Sequence, residues 1–543
     1  MLETAVAITQ AETAEVAGKA TPELPPMGVY QRSLLDPQTF SITWELVPGR
    51  GAFEHSQDAV LSTAALVAKT GLVHALTITD NPGGAPALSS EMLGAEIVRL
   101  GIEPLVHLTC KDKNRSELES LLYGLERAGV TNLLAMTGDY PKSGYCGAPK
   151  PVFDLDPVTL IGLVREMNMG REFATPKGTN RLKPTHFFPG AVVSPFKQLE
   201  AEQMGQYFKL KKKLEAGAGF IVSQLGYDAR KLHELIQVIK LLGYGHIPVV
   251  GNIFLLLPGA AKLMNRNGLP GCVVTDKLLA EVQSEAAAPD KGRAKRIERA
   301  ARQYALLKGM GYAGVHIAGH GMSYAELETV VGRGNEMAPN WMELVHEFDY
   351  PQENGWYYFD CDAATGLNTD RLAARDDNSS AGLAFHIFRL FHHTMFEKKG
   401  VFFGPMRAIA KAVDGSPLEG AYTKCEQVIK GITNDCLHCG DCGIFDTAYL
   451  CPQSQCAKNQ RNGPCGGGRD GFCEKFPDER ECIYVQAYRR LKSRGEEQSL
   501  AEGVVAPVNY ELYQTSSWLN FYLGRDHSAA KQGIEKVEHK AKK

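Results

Sequence analysis

Between residues 40 and 330, short runs of β-branched and apolar residues alternate with longer segments of helical periodicity. This alternation constrains the fold more than any other feature, because strands separated by helices pair in parallel and are covered on both faces. The strands predicted from these runs span residues 40–47, 74–79, 104–109, 132–137, 186–193, 219–224, 247–253 and 314–318. Eight strands with intervening helices over roughly 300 residues predict a (β/α)8 TIM barrel.

A doubly wound parallel sheet is the structural alternative. Such a sheet usually carries a glycine fingerprint directly after its first strand. Here the first strand runs into Trp44-Glu-Leu-Val-Pro-Gly49, which is not a dinucleotide-binding loop. Several later strands follow a helix that ends at a glycine, as at Gly129 and Gly217, and a glycine at that position is a common helix cap. The sequence therefore favours the barrel.

Composition excludes several classes of protein. The chain has 543 residues, of which 44% are hydrophobic and 22% charged, as in ordinary globular proteins with two or more domains. A net charge of -3 gives no electrostatic reason to expect a nucleic-acid partner. The longest apolar stretches, such as residues 253–257, are too short to span a bilayer, and the N-terminus lacks the hydrophobic segment of a signal peptide. We therefore expect a cytoplasmic location and no membrane span.

Shifts in composition predict five regions. Residues 1–38 are rich in Ala, Glu, Thr and Pro and read as a loosely held arm. Residues 39–332 form the predicted barrel, and residues 333–420 form a connecting region that includes a helix. Residues 421–495 contain a cysteine-rich, metal-binding domain, and residues 496–543 are polar and read as a solvated tail.

Polar residues recur where the predicted barrel strands end, which is where barrel enzymes place their chemistry. These residues are Glu45, Thr79, Asp80, His107, Thr109, Gly138, Asp139 and Gln224. Carboxylates, an imidazole and an amide on one rim could supply a general acid, an electrostatic modulator and hydrogen bonds to a heteroaromatic substrate. Each residue also has a purely structural interpretation, such as pairing of Glu45 with Arg50 or a turn cap at Asp139. Their joint placement at one rim favours function.

Nine of the 13 cysteines fall between Cys425 and Cys482. In a long chain without a signal peptide, such density favours metal ligation over disulfides. The predicted ligands are Cys436, Cys439, Cys442, Cys451, Cys456, Cys465, Cys473 and Cys482. Paired C-x2-C knuckles would favour zinc, whereas the triple C-x2-C-x2-C followed by Cys451-Pro452 favours a 4Fe-4S cluster. Eight thiolates would complete two such clusters, and zinc is the alternative.

Four segments, in order along the chain, resemble the methylenetetrahydrofolate reductase barrel. They are Trp44-Glu-Leu-Val-Pro48, His107-Leu-Thr-Cys110, Ala135-Met-Thr-Gly-Asp139 and Leu210-Lys-Lys-Lys-Leu-Glu-Ala-Gly-Ala218 followed by Gln224. Further on, Asn462-Gly-Pro-Cys-Gly-Gly467 with Phe472-Cys-Glu474 resembles the C-terminal domain found with, or as a partner subunit of, one class of these reductases. In that class the domain is associated with electron delivery to the flavin.

The resemblance implies an enzyme that interconverts 5,10-methylenetetrahydrofolate and 5-methyltetrahydrofolate, with a flavin (FAD or FMN) at the barrel mouth. Glu45 matches the family's acid, Asp139 the aspartate near flavin and folate, and Gln224 the amide that grips the pterin. The implied flavin-binding residues are Thr79, Asp80, His107, Thr137, Gly138, Ala191 and Lys213. The basic run Lys209–Lys213 would suit a phosphate-bearing flavin tail, or would simply form a solvated helix face.

Electrons would come from NAD(P)H, a ferredoxin-like donor or a partner complex, and we expect a homo-oligomer. Two other functions stay open from the sequence. One is a folate-binding methyltransferase with a zinc module, which would be colourless. The other is an electron-transfer subunit of a larger complex, whose activity would not depend on Glu45.

Overall fold

The computed structural model describes residues 27–376 and 378–538, and its first part is a closed barrel of eight parallel strands. The strands are β1 (Ser41–Leu46), β2 (Ala75–Ile78), β3 (Pro104–Thr109), β4 (Asn132–Met136), β5 (Phe188–Val193), β6 (Phe220–Ser223), β7 (Val249–Phe254) and β8 (Gly314–Ala318). They pair in the order β1-β8-β7-β6-β5-β4-β3-β2. The predicted (β/α)8 barrel is confirmed.

The helices follow the strands on the outside of the barrel and continue into the C-terminal part. They are α1 (Val29–Leu35), α2 (His55–Thr70), α3 (Ser90–Arg99), α4 (Arg115–Ala128), α5 (Pro157–Asn168), α6 (Glu200–Ala216), α7 (Ala229–Leu241), α8 (Pro258–Asn265), α9 (Asp276–Glu285), α10 (Arg293–Gly309), α11 (Tyr324–Met337), α12 (Leu383–Phe391), α13 (Phe403–Val413), α14 (Glu419–Asn434), α15 (Ile483–Lys492), α16 (Ser517–Tyr522) and α17 (His527–Lys531). Within the described residues, none of them is long and apolar enough to cross a membrane.

Helix α4 illustrates why these segments are helical. The Asn114 side chain accepts a hydrogen bond from the backbone N–H of Glu117, which satisfies one free donor at the helix start. Leu118, Leu122 and Leu125 are buried at helical spacing against the sheet. The helix ends at Gly129, whose φ of 80° is a left-handed conformation that glycine adopts without strain.

Helix α1 closes the bottom of the barrel, so the prediction of a loose arm is wrong for its last residues. Tyr30 is fully buried, and its ring meets the edge of Phe220 at a centroid distance of 5.5 Å. The Tyr30 backbone N–H also donates to Glu103 Oε2 at 3.1 Å. The Tyr30 ring fills the floor of the barrel, and burial of its apolar surface holds the segment in place. Residues 1–26 of the predicted arm lie outside the described residues.

The connecting region packs on the outside of the barrel. It contains a hairpin of Phe359–Cys361 and Asn368–Leu372. Arg230 of α7 binds both hairpin strands, donating to the Phe359 carbonyl at 2.6 Å and to Asn368 Oδ1 at 2.8 Å. The hairpin is thereby fixed to the barrel wall.

The last residues of the chain are folded, so the predicted solvated tail is wrong over the described part of 496–543. Leu519, Phe521 and Tyr522 are almost fully buried and form a core with Phe396 and Phe403. The segment looked polar because its apolar residues are few, but those of α16 pack into this core and even Ser517 and Asn520 beside them are buried.

Candidate active site at the barrel mouth

The carboxyl ends of the strands surround a cavity of about 360 Å³. Nine of the predicted site residues line it: Glu45, Thr79, Asp80, His107, Thr137, Gly138, Asp139, Lys213 and Gln224. Ala191 does not, because it is fully buried in the hydrophobic core. Its neighbours Val192 and Val193 line the cavity instead.

Glu45 of β1 is paired with a residue that the sequence did not single out. His316 of β8 places its Nε2 3.4 Å from Glu45 Oε2. The other ring nitrogen, Nδ1, lies 3.1 Å from the Thr43 hydroxyl and 3.3 Å from the Thr77 hydroxyl. If these hydroxyls donate to Nδ1, the imidazole carries its proton on Nε2 and donates it to Glu45.

The charge state of Glu45 is set by two opposing effects. Burial raises its pKa, but the hydrogen bond and the electrostatic attraction of His316 outweigh burial and leave the pKa below its ordinary value. His107 has the opposite environment, since burial lowers its pKa to about 4. At neutral pH the free protein therefore presents a carboxylate at Glu45 beside a neutral imidazole at His107.

Asp80 and Asp139 have different partners at the rim. Asp80 Oδ2 accepts hydrogen bonds from the backbone and hydroxyl of Thr109 and from Lys113 Nζ, all within 3.1 Å. These bonds join the ends of β2 and β3, so Asp80 holds the rim together. Asp139 Oδ2 accepts one hydrogen bond, from the Gly83 N–H at 2.8 Å, and its half-buried side chain faces the cavity.

Four buried polar atoms of residues that line the cavity have no hydrogen-bond partner among the described residues. They are Thr79 Oγ1, His107 Nε2, Ser194 Oγ and Asn252 Oδ1. Buried polar atoms are almost always satisfied, so such orphans mark a place where a polar ligand or water completes the structure. A flat heteroaromatic group with ring nitrogens and carbonyls fits this donor and acceptor set.

Gly138 lets the backbone at the end of β4 pass close to Thr109 and Lys111. Its φ is 83°, and a Cβ built there would lie 2.9 Å from side-chain atoms of both Thr109 and Lys111. Its carbonyl accepts a hydrogen bond from Lys458 Nζ at 2.9 Å. This bond comes from the cysteine-rich region, which therefore reaches the rim of the barrel.

The cysteine-rich region forms one wall of the cavity. Lys458, Pro464, Cys465, Gly466, Gly467 and Glu474 all line it. Lys458 and Glu474 form a buried ion pair at 2.6 Å. The cavity is thus built jointly by the barrel and the C-terminal region, which the sequence-based division into separate domains did not anticipate.

The lysines of α6 hold this wall in place. Lys209 Nζ donates to Gln460 Oε1 at 2.7 Å and to the carbonyls of Gly463 and Pro464 at 3.1 Å. Lys211 binds Glu215 at 3.1 Å and is within 3.4 Å of the Ala501 carbonyl. The basic run is therefore neither a free phosphate-binding patch nor a solvated face. Lys213 does line the cavity, and burial together with the charge of Lys209 lowers its pKa to about 7.

The eight predicted ligand cysteines fall into two groups of four. The inner group surrounds a small cavity that adjoins the barrel mouth and comprises Cys456, Cys465, Cys473 and Cys482. The outer group surrounds a second small cavity and comprises Cys436, Cys439, Cys442 and Cys451. Cys425, which is not among the predicted ligands, lines neither cavity and is exposed.

The thiols within each group are not closely packed. Across the described residues, the one set of three or more potential ligand atoms lying within 4.8 Å of one another is that of His392, His393 and Glu397. Four thiolates around one zinc ion at about 2.3 Å would lie roughly 3.8 Å apart. The cysteine groups are wider than this and each encloses a cavity.

Sequence reasoning missed His316, Asn252, Lys458 and Glu474. A usable signal existed for the first two, since each is a polar residue inside a predicted parallel strand whose other residues are apolar. Lys458 and Glu474 carried no such signal. Their position depends on how the C-terminal region docks on the barrel.

Two family models match the chain. The model described as "Methylenetetrahydrofolate reductase" matches residues 31–330, and the one described as "Methylene-tetrahydrofolate reductase C terminal" matches residues 417–511. The cavity described above is thus lined by residues from both matched segments.

Two curated relatives are named methylenetetrahydrofolate reductase 2. The protein from Saccharomyces cerevisiae is 25% identical over 197 residues, covering 35% of this chain and 30% of its own length. The protein from Schizosaccharomyces pombe is 26% identical over 200 residues, covering 36% of this chain and 29% of its own. The chain therefore spans about three tenths of the length of these relatives.

Among solved structures, an uncharacterized protein from Clostridium thermocellum is described as binding two copies of 5-methyl-5,6,7,8-tetrahydrofolic acid. It is 12% identical and covers 57% of this chain and 99% of its own, with a TM-score of 0.40.

Proposed function

The chain belongs to the methylenetetrahydrofolate reductase family, and from this premise we propose that it is a flavin-dependent oxidoreductase with two internal iron–sulfur clusters. It interconverts 5,10-methylenetetrahydrofolate and 5-methyltetrahydrofolate at the barrel mouth. Reduction of the methylene bridge consumes two electrons and two protons. The electrons pass through the cysteine-rich region rather than coming directly from a nicotinamide.

One observation carries the proposal. Cys465 lines both the barrel-mouth cavity and the cavity enclosed by the inner cysteine group. Gln206 of α6 also lines both cavities and donates to the Cys465 carbonyl at 2.9 Å. A redox centre on the inner cysteines would thus adjoin whatever the barrel mouth binds. A zinc ion that only stabilised the fold would not need this placement.

The residues around the mouth fit a flavin. When bound, the flavin supplies hydride transfer to or from the folate carbon. Thr79, His107, Ser194 and Asn252 offer buried polar atoms that lack partners among the described residues. Neutral His107 can donate or accept a hydrogen bond without adding charge.

Glu45 handles the proton of the reaction. Opening of the methylene bridge leaves a nitrogen that needs a proton, and a carboxyl group in the cavity can deliver it. Because Glu45 is ionised in the free protein, it must first take up that proton, and His316 at 3.4 Å is positioned to relay it. Asp139 and Gln224 line the same cavity and provide acceptors and donors for the pterin edge.

The width of the cysteine groups supports iron–sulfur clusters over zinc. In a 4Fe-4S cluster each thiolate binds its own iron at a separate corner, so the sulfur atoms stand farther apart than around a single ion. Two groups of four, each around a cavity, match the requirement of two such clusters. Electrons would then enter at the outer group, pass to the inner group and reach the flavin.

The proposal is tested on protein purified without oxygen, by visible spectroscopy together with iron, zinc and flavin analysis. We expect about eight irons and one flavin per chain, and oxidation of 5-methyltetrahydrofolate coupled to reduction of a viologen dye. A protein that contains zinc but neither iron nor flavin would favour a methyltransferase and overturn the proposal. Iron and flavin without any folate turnover would indicate an electron-transfer subunit.

A further inference from the structure

Helix α12 is followed directly by a short π-helix, His392–Phe396, and three side chains that can bind a metal meet there. They belong to His392, His393 and Glu397, the residue that follows the π-helix. A π-helix is rare and is frequently found at functional sites. Because its hydrogen bonds join residues five apart, its turn is wider than that of an α-helix and brings His392 towards Glu397.

The three side chains are close enough to share one ion. One ring nitrogen of His392, one of His393 and a carboxylate oxygen of Glu397 all lie within 4.8 Å of one another. Around one zinc ion bound at about 2.1 Å, such ligand atoms stand roughly 3.4 Å apart. Small rotations of the side chains would bring the three atoms to that spacing. Two imidazoles and a carboxylate are a ligand set that zinc takes in proteins, with the fourth position left to water.

Two aromatic residues of the loop between Cys442 and Cys451 fix the His392 imidazole. The Phe445 ring stacks on it at a centroid distance of 4.2 Å, with 23° between the planes. The Tyr449 hydroxyl lies 3.2 Å from its Nδ1. Burial lowers the pKa of His392 to about 4, so the imidazole is neutral at physiological pH. A metal ligand needs a fixed ring and a deprotonated nitrogen, and His392 has both.

His393 and Glu397 lie nearer to solvent, with side chains that are 43% and 39% exposed. His393 Nδ1 contacts Glu397 Oε1. An exposed ion pair of this kind contributes little to stability, and it gives no role to the neutral His392 beside it. A bound metal ion would use all three side chains.

The positive side chains near the site have other partners or face solvent. Arg389 forms a bidentate ion pair with Glu496. Lys398 Nζ donates to the Gly533 carbonyl at 2.9 Å, and Lys399 is exposed to solvent. Pairing and solvent screening weaken the repulsion that these groups would exert on a bound cation.

We propose that His392, His393 and Glu397 form a zinc site that fixes the π-helix against the loop between the outer cysteines. The ion holds the turn that joins α12 to α13. His392 provides the link, because it is a ligand and also packs on Phe445 and Tyr449. The site uses none of the eight clustered cysteines and does not depend on the proposed function.

The test uses the full chain, with zinc as the probe. Iron and sulfide are first loaded without oxygen, so that the cysteines are occupied, and the protein is then dialysed against micromolar zinc. Metal analysis should give one zinc per wild-type chain. His393→Ala and Glu397→Gln should each weaken zinc binding about tenfold or more, with the iron content unchanged.

Trypsin provides a second measurement, because Lys398 and Lys399 directly follow the site. Bound zinc should slow cleavage after these lysines severalfold in the wild type but not in His393→Ala. The matched control is His386→Ala, which changes an exposed histidine of α12 outside the site. It should keep both the zinc and the protection from trypsin.

Equal zinc content in the wild type and both ligand variants would overturn the inference. Binding that requires millimolar zinc would do so as well, and so would protection from trypsin that persists in His393→Ala. If the chain takes up no iron, its cysteines can also bind zinc, but they do so equally in the wild type and the variants. The difference of one zinc then still tests the site, so the two proposals fail separately.

Discussion

His316 Nε2 lies 3.4 Å from Glu45 Oε2, and this contact joins the last strand of the barrel to the first. The hydrogen bond and the charge of His316 hold the pKa of Glu45 below its ordinary value, in opposition to burial. The two residues therefore act as one proton-handling unit whose charge depends on both.

Replacing His316 with Phe should raise the pKa of Glu45, because burial then acts without the opposing hydrogen bond. In the pH profile of folate turnover, the apparent pKa of the limb that reports Glu45 should rise, and kcat should fall about 10- to 100-fold. Steady-state rates from pH 5 to 9 would measure the shift. Thr43→Val removes only a neighbour of Nδ1 and should move the profile less. If the pH profile of His316→Phe is the same as that of the wild type, the titration seen in the profile does not belong to Glu45.

Glu45→Gln should reduce folate turnover by about 10²- to 10⁴-fold, since the amide cannot donate a proton as a carboxyl group does. The amide keeps the size of the side chain, so flavin content and reduction of the visible chromophores by a donor should not change. Both are followed by absorbance in a single anaerobic cuvette. If chromophore reduction fails together with turnover, Glu45 has a structural role instead.

Lys209→Met should loosen the cysteine-rich wall from the barrel. Lys209 is 2% exposed and donates to three oxygens of residues 460–464. Removing it leaves buried acceptors without donors, at a cost of about 2–5 kcal/mol in the free energy of unfolding. Urea unfolding and limited proteolysis should both detect the change. Lys211→Met, at a half-exposed ion pair in the same helix, should cost less than about 0.5 kcal/mol.

Cys465→Ser should remove about half of the bound iron, because it disables the inner group and spares the outer one. Folate turnover driven by an outside donor should be lost as well, since the inner group adjoins the barrel mouth. Iron analysis and electron paramagnetic resonance of the reduced protein would measure both centres. Cys425→Ser, at an exposed cysteine outside both groups, should keep all of the iron. Equal iron in the two variants would contradict the assignment of groups.

Lys213 should make stability depend on pH. Burial lowers its pKa from 10.5 to about 7 in the folded protein, so between these values the unfolded chain binds more protons. The contribution of Lys213 to the free energy of unfolding therefore rises as the pH increases from about 7 to 10.5. The difference in Tm between wild type and Lys213→Met should grow in favour of the wild type over pH 7 to 9.5. A difference that is constant with pH would show that Lys213 keeps its ordinary pKa.

The barrel could be predicted because its signals are local. Apolar strands repeat eight times with helical segments between them, and several of the helices end at a glycine cap, as at Gly129 and Gly217. The rim residues followed from the same pattern, since strand ends in a parallel barrel share one face. Ala191 shows the limit of that reasoning, because its side chain lies in the core although Val192 and Val193 beside it line the cavity.

Local patterns and the family resemblance were enough to predict the barrel, nine residues of the cavity lining and eight clustered cysteines. Only the folded chain shows that His316 meets Glu45, that the cysteines divide into two groups, and that Lys458 reaches Gly138. These pairs lie 271 and 320 positions apart along the chain and come together because whole elements pack on one another, which no local periodicity encodes. Lys209 of α6 is an example. Its charge suggested contact with solvent or a phosphate, but in the structure it donates to oxygens of the cysteine-rich wall.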